Sequence, residues 1–139
     1  MRLSLRTTAA LLLAGLALQA APAAQAAPPG DAARGRALLL QRQESGCILC
    51  HVLPGLPPGG ALGPPLHGLA SRYNSGDLFQ RIADARRVNP ETIMPPYLST
   101  EGLHNVARAQ VGKTVLSEQA LADIVAYLLA PQGASDGPR

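Results

Sequence analysis

The stretch that decides how this chain reads is ESGCILCHVLPG, residues 44–55. It holds the only two cysteines of a 139-residue sequence, Cys47 and Cys50, and His51 follows directly. Two thiols and an imidazole at this spacing can serve three purposes. A disulfide between cysteines two residues apart belongs to thiol oxidoreductases, which place it on a strand–helix scaffold. No strand–helix–strand alternation is readable here. Structural zinc needs four ligands converging on one small ion. Adjacent Cys50 and His51 diverge along a helical turn, and His67 and His104 lack a finger-like spacing. The third purpose is covalent attachment of a c-type haem, for which C-x-x-C-H is the signature. Two thiols so placed reach the two vinyl groups on one porphyrin edge, and the next residue turns its imidazole under the iron. This is the favoured reading of the three.

The sequence before the motif bears on the compartment. Arg2 and Arg6 precede a short apolar run, AALLLAGLAL at residues 9–18, and Ala24-Gln25-Ala26 supplies small residues for a signal peptidase. Ten apolar residues fall short of the roughly 20 needed to span a bilayer. The division expected is a signal peptide over 1–26, one haem-bearing domain over 27–130 and a disordered tail over 131–139. Export of this kind leads to the periplasm, with no membrane insertion. Without the leader the formal charge falls from +3 to +1, since Arg2 and Arg6 are lost. So small a charge argues against nucleic acid or an anionic lipid surface as partner. One Phe, three Tyr and no Trp make a thin core for a domain of this size. A bulky group in the middle would complete it.

The remaining elements read as helices and stiff loops. Asp31 is placed to cap a helix over about 32–43, with Leu38, Leu39 and Arg42 on or near one face. The proline-rich run 52–65 can hold neither helix nor central strand. A short turn is expected within 66–73. A second helix follows over about 77–86, started by Ser75 or Asp77, with Leu78, Ile82 and Phe79 inward. Asn89-Pro90 breaks it. Residues 99–116 suggest only loose turns. The last helix starts near Ser117 and puts Leu121, Ile124, Val125, Leu128 and Leu129 on one face, and Pro131 stops it. With no convincing strand, the fold class is all-α.

Haem iron in electron carriers takes His on one side and Met or His on the other. Apart from Met1 in the leader, the chain has one methionine, Met94, in the loop ETIMPPY. It lies 43 residues beyond His51, far enough to reach the opposite face of the ring. Filling the core is the ordinary use of a methionine, but its singularity and its proline-stiffened loop favour ligation. His67 and His104 are the rivals, and an open distal side is the remaining alternative. Gly63 and Pro64 are expected on the proximal side, with the Pro64 carbonyl accepting the Nδ1 proton of His51. Arg72, Arg81, Arg86 and Arg87 would neutralise haem propionates, face a partner, or simply form a solvated surface. Tyr97 is expected at the haem edge, and Tyr127 between the last helix and the first.

The stretches GCILCH, LGPPLHGLASRY and RIADARRVNPETIMPPY, with the final helix, resemble the class I c-type cytochromes and, more narrowly, the SoxX family of mono-haem subunits. The resemblance covers most of residues 35–129 and implies a class I cytochrome c fold, three to five short helices around one covalent haem c. It matches Cys47 and Cys50 to the thioether cysteines, His51 to the proximal ligand and Met94 to the distal one. It also implies a SoxA-like haem subunit as partner, and through it a SoxYZ-like carrier whose cysteine is oxidatively joined to thiosulfate. In that scheme the chain is the electron-accepting subunit of an L-cysteine S-thiosulfotransferase, passes electrons to a small cytochrome or oxidase, and contributes no catalytic residue. A free soluble electron carrier is the alternative function.

Overall fold

The structure is a computed structural model and describes residues 28–131. The expected signal peptide, and all but the first residue of the expected tail, lie outside the described residues. Within them are four α-helices, α1 (Ala32–Leu40), α2 (Cys47–Cys50), α3 (Ser75–Ala83) and α4 (Glu118–Leu129). Three 3-10 turns, Leu69–Ser71, Ala85–Arg87 and Arg108–Gln110, complete the regular structure, with no strand among the described residues. The all-α class is therefore as expected.

Helices α1 and α4 form the main pairing, and α3 and the turn Leu69–Ser71 pack on α4 as well. The pairing depends on two glycines. A Cβ at Gly30 would overlap the Ala122 carbonyl, and one at Gly35 the Asp123 carbonyl, so the backbones approach as close as hydrogen allows. Asp123 is the buried acid of this seam. Its carboxylate accepts from the Asp31 amide at 2.8 Å, from Arg34 Nε at 2.7 Å and Nη2 at 2.9 Å, and from Gln119 Nε2 at 2.9 Å. The Arg34 guanidinium is the largest reason its pKa lies well down, at about 2.

The cap expected at Asp31 is present, and Ser117, near the expected start of the last helix, is a second one. Asp31 accepts from the Arg34 amide at 2.8 Å, and Ser117 from the Ala120 amide at 3.1 Å. On α4, Leu121, Ile124, Val125 and Leu128 are buried, and Leu129 is half-buried. Helix α1 is shorter than the periodicity suggests. Gln41 is already extended, so Arg42 sits exposed in a turn rather than on the inner face. Gly46, at φ 64°, then allows α2 to start in a new direction.

Helix α3 is capped by Asn74, whose side chain accepts from the Asp77 amide at 2.8 Å. It ends at Ala83, well before the Asn89-Pro90 break. Asp84 is extended there and held by Arg86 through two 2.7 Å bonds. An ion pair two residues apart thus ends the helix and opens the Ala85–Arg87 turn. Leu78, Phe79 and Ile82 are buried as expected.

Candidate cofactor site

The motif is itself a helical turn. Cys47 begins α2 and is buried, Cys50 ends it half-buried, and His51 leaves it extended at φ −117° and ψ 143°. The glycine- and proline-rich loop then folds back over the turn. Gly60 N donates to Ile48 O at 2.9 Å, Gly63 N to Cys50 O at 2.7 Å and Leu66 N to Val52 O at 2.9 Å. The same glycines have no space for a side chain. A Cβ at Gly59 would strike the His51 carbonyl, at Gly60 the Leu49 carbonyl, and at Gly63 the imidazole ring. The loop therefore clamps the motif backbone and one side of the ring.

The imidazole is fixed at its other nitrogen position as well. His51 Nδ1 and the Pro64 carbonyl are 2.7 Å apart. A carbonyl only accepts, so Nδ1 carries a proton, and in the neutral ring the lone pair is left on Nε2. The contact expected between His51 and Pro64 is present.

His51, Cys47, Met94 and Tyr97 all line one cavity of about 320 Å³. Its walls are mostly apolar: Leu39 from α1, Leu78 and Ile82 from α3, Ile124 and Leu128 from α4. Cys50 is not part of the wall. The structure thus brings three of the four expected site residues to one space, with Cys50 beside it at the end of α2. Met94 comes from residues 89–97. There Asn89 O accepts from Thr92 N at 3.1 Å, and Thr92 Oγ1 accepts from Met94 N at 3.2 Å. A backbone turn and the Thr92 hydroxyl, not the prolines alone, hold the methionine in place.

The rivals of Met94 lie elsewhere. His67 and His104 are exposed and absent from the cavity wall. Among the described residues, no group of three or more His, Cys, Asp or Glu side chains is arranged to hold a bare metal ion. Cys47 and Cys50 are not joined to each other in a disulfide. Burial pushes the Cys47 thiol pKa up.

The four arginines divide. Arg72 and Arg81 reach the cavity and flank Tyr73, with guanidinium carbons 5.9 Å and 5.2 Å from its ring centre. Arg86 is committed to Asp84 and to the Glu101 carbonyl at 2.8 Å, and Arg87 lies outside the cavity. For Arg86 and Arg87 a place beside the cavity does not hold.

Tyr97 is at the cavity as expected, but with more contacts than an edge position needs. It is 4% exposed, its hydroxyl donates to Ser45 O at 2.7 Å, and Cys47 Sγ lies 3.8 Å away. Burial is the main reason its pKa is raised. Tyr127 directs its hydroxyl to Pro54 O at 2.7 Å, tying α4 to the loop after the motif.

The residues fit a flat, apolar, iron-bearing ring. The space is walled by aliphatic side chains, an imidazole with a free Nε2 and a thioether share it, a thiol opens on it, and two cations stand at it. Sequence reasoning missed the Ser45 carbonyl as the anchor of Tyr97, because a backbone acceptor leaves no trace in composition. It also missed Gly59 and Gly60. The pair GG beside two prolines was a readable sign of close backbone approach.

No protein-family model matches the sequence, and no curated protein is similar enough to count as a relative. Solved structures do match. A chain of the crystal structure of SoxXA from P. pantotrophus superposes with a TM-score of 0.66 at 24% identity, over 76% of this chain and 87% of that one. A variant of ferric cytochrome c-550 from Paracoccus versutus covers 71% of this chain and 93% of its own at 19% identity, with a TM-score of 0.40. Cytochrome c2 from Paracoccus denitrificans gives the same coverage and TM-score at 18% identity. The helices that converge on the cavity therefore have the arrangement found in that SoxXA chain.

Proposed function

We propose that this chain is a periplasmic mono-haem c-type cytochrome, the electron-accepting subunit of a complex that oxidatively joins thiosulfate to a carrier-protein cysteine. The observation that carries the haem reading is the meeting of His51, Met94 and Cys47 on one apolar cavity, with Nδ1 of His51 committed to Pro64. Cys47 and Cys50 would hold haem c as thioethers, His51 would be the proximal ligand and Met94 the distal one. When bound, that group supplies one-electron redox chemistry. The chain's own residues do the rest. The Pro64 carbonyl holds the imidazole in one tautomer and orientation, and its acceptance of the Nδ1 proton makes the ring a stronger donor. Gly63 keeps the backbone against the ring. The aliphatic walls exclude water, which disfavours the more highly charged oxidised state and so raises the potential. Arg72 and Arg81 place positive charge where anionic groups of a cofactor would lie.

The place in a sulfur-oxidising complex rests on the resemblance of RVNPETIMPPY to the SoxX family and on the fold shared with the SoxXA chain. The partner implied is a larger SoxA-like haem subunit, and through it a SoxYZ-like carrier. Both thiols of this chain are assigned to attachment, so sulfur chemistry belongs to the partner. Electrons would leave for a small cytochrome or an oxidase. The test is affinity isolation of the tagged chain from the periplasm of thiosulfate-grown cells. We expect a haem-staining band of this chain on a denaturing gel, together with a second, larger haem protein, and thiosulfate conjugation by the pair but not by the chain alone. A haem-bearing chain recovered alone and active as a soluble carrier would replace the complex with a free electron carrier. A chain that does not stain would overturn the haem reading.

A further inference from the structure

Tyr97 stands three residues after Met94 and meets three separate parts of the fold. Its hydroxyl donates to Ser45 O at 2.7 Å, two residues before Cys47. Its amide donates to Ala83 O at 3.0 Å, at the end of α3, and its carbonyl accepts from Leu116 N at 3.1 Å, just before α4. Pro96 beside it is also buried. The loop bearing Met94 is otherwise exposed at Pro90, Glu91, Ile93 and Pro95. Its hold on the rest of the molecule is thus concentrated at Tyr97. We propose that Tyr97 is a positioning residue for the distal ligand, a buried strut that fixes the Met94 loop to the haem-attachment turn. The proposal rests on the haem reading above.

The hydroxyl bond suits this task. Tyr97 has one proton to give, and the short bond to Ser45 takes it; the Cys47 sulfur, 3.8 Å from the hydroxyl and 3.7 Å from the same Ser45 carbonyl, makes only the weaker contacts. Addition of the Cys47 thiol across a vinyl group would replace its S–H with a C–S and a C–H bond, and would leave the Tyr97–Ser45 bond in place. The attachment turn, once anchored to the cofactor, then offers a rigid acceptor on which the methionine loop can bear. A buried hydroxyl bond typically shifts an equilibrium by about tenfold. Its loss should therefore favour opening of the loop by that factor, while the helices stay folded.

The test uses the ferric holoprotein and two variants, Tyr97→Phe and Tyr127→Phe. Each removes one buried tyrosine hydroxyl with a 2.7 Å bond to a carbonyl. The urea dependence of the far-red sulfur-to-iron band and of far-UV circular dichroism is recorded for each. For Tyr97→Phe we expect the band to vanish at clearly lower urea than the helical signal, with loop opening about tenfold more populated than in the wild type. Tyr127→Phe should move both signals together. Equal shifts of both signals in Tyr97→Phe would reduce Tyr97 to ordinary core packing and overturn the proposal. A wild-type holoprotein that carries covalent haem but no far-red band would remove Met94 as ligand, and the proposal with it. If Tyr97→Phe does not accumulate, wild-type hydrogen exchange decides. The Tyr97 amide should then exchange through the same opening that extinguishes the band, and exchange only through global unfolding would overturn the strut.

Discussion

At the scale of single residues, the site depends on what cannot be added as much as on what is present. Gly63 is the clearest case. A methyl group there would occupy the space of the His51 ring. The backbone bond from Gly63 N to Cys50 O and the Pro64 carbonyl bond to Nδ1 hold both partners, so neither can withdraw. Gly63→Ala should therefore displace the imidazole; on the proposed haem reading this is measurable as an altered ferric spectrum and loss of low-spin ligation with covalent haem retained. Met94→Ala should abolish the far-red band without loss of covalent haem, and retention of the band would assign the distal position to another side chain. Cys47, Cys50, His51 and Met94 were all legible as candidates, because reactive or ligating side chains are rare in this composition and their spacing has a chemical meaning. Ser45 was not legible, since it contributes a carbonyl that every residue possesses.

At the scale of elements, the α1–α4 seam is set by two glycines and one buried acid. The Asp123 carboxylate has an ordinary pKa of 3.8 when exposed and about 2 in the fold. Its stabilisation is thus complete above about pH 4 and is lost as the pH falls toward 2, because the unfolded chain takes up the proton first. Asp123→Asn should cost about 2 kcal/mol at pH 7, as charge-assisted bonds to Arg34 and the Asp31 amide weaken. It should also flatten the acid limb of the stability curve, and denaturant titrations at pH 7 and pH 3 check both. Gly35→Ala forces a methyl group into the Asp123 carbonyl, and should destabilise by about 2 kcal/mol or more. The helices were largely readable from periodicity and caps. Their ends were not. Helix α1 stops at Leu40 and α3 at Ala83, where Gln41 and Asp84 turn extended in answer to contacts outside the helix.

At the scale of the whole molecule, the cavity of about 320 Å³ sits between α1, α3 and α4, walled by their core side chains. Leu39 and Ile124 are essentially wholly buried and yet face this space. No helix among the described residues is long and apolar enough to cross a membrane. On the proposed reading the haem is part of the core, binding the folded chain and not the unfolded one. A Cys47→Ala, Cys50→Ala double variant should then show weakened, non-cooperative unfolding by circular dichroism, with helical content reduced. Cooperative unfolding at the wild-type midpoint would mean that the core is complete without the group.

The sequence by itself determined the all-α class and marked out Cys47, Cys50, His51 and Met94 as candidates. These follow from local patterns: residue spacing along one turn, a repeat along one helix face, and scarcity of sulfur. Tertiary structure alone decided that Met94 and His51 share a cavity, that Arg86 turns away to Asp84 while Arg72 and Arg81 reach it, and that Tyr97 joins the methionine loop to the motif. The reason is physical. Each of these depends on which groups the packed helices and loops bring within reach, and that placement is a property of the whole fold rather than of the residue that bears the group.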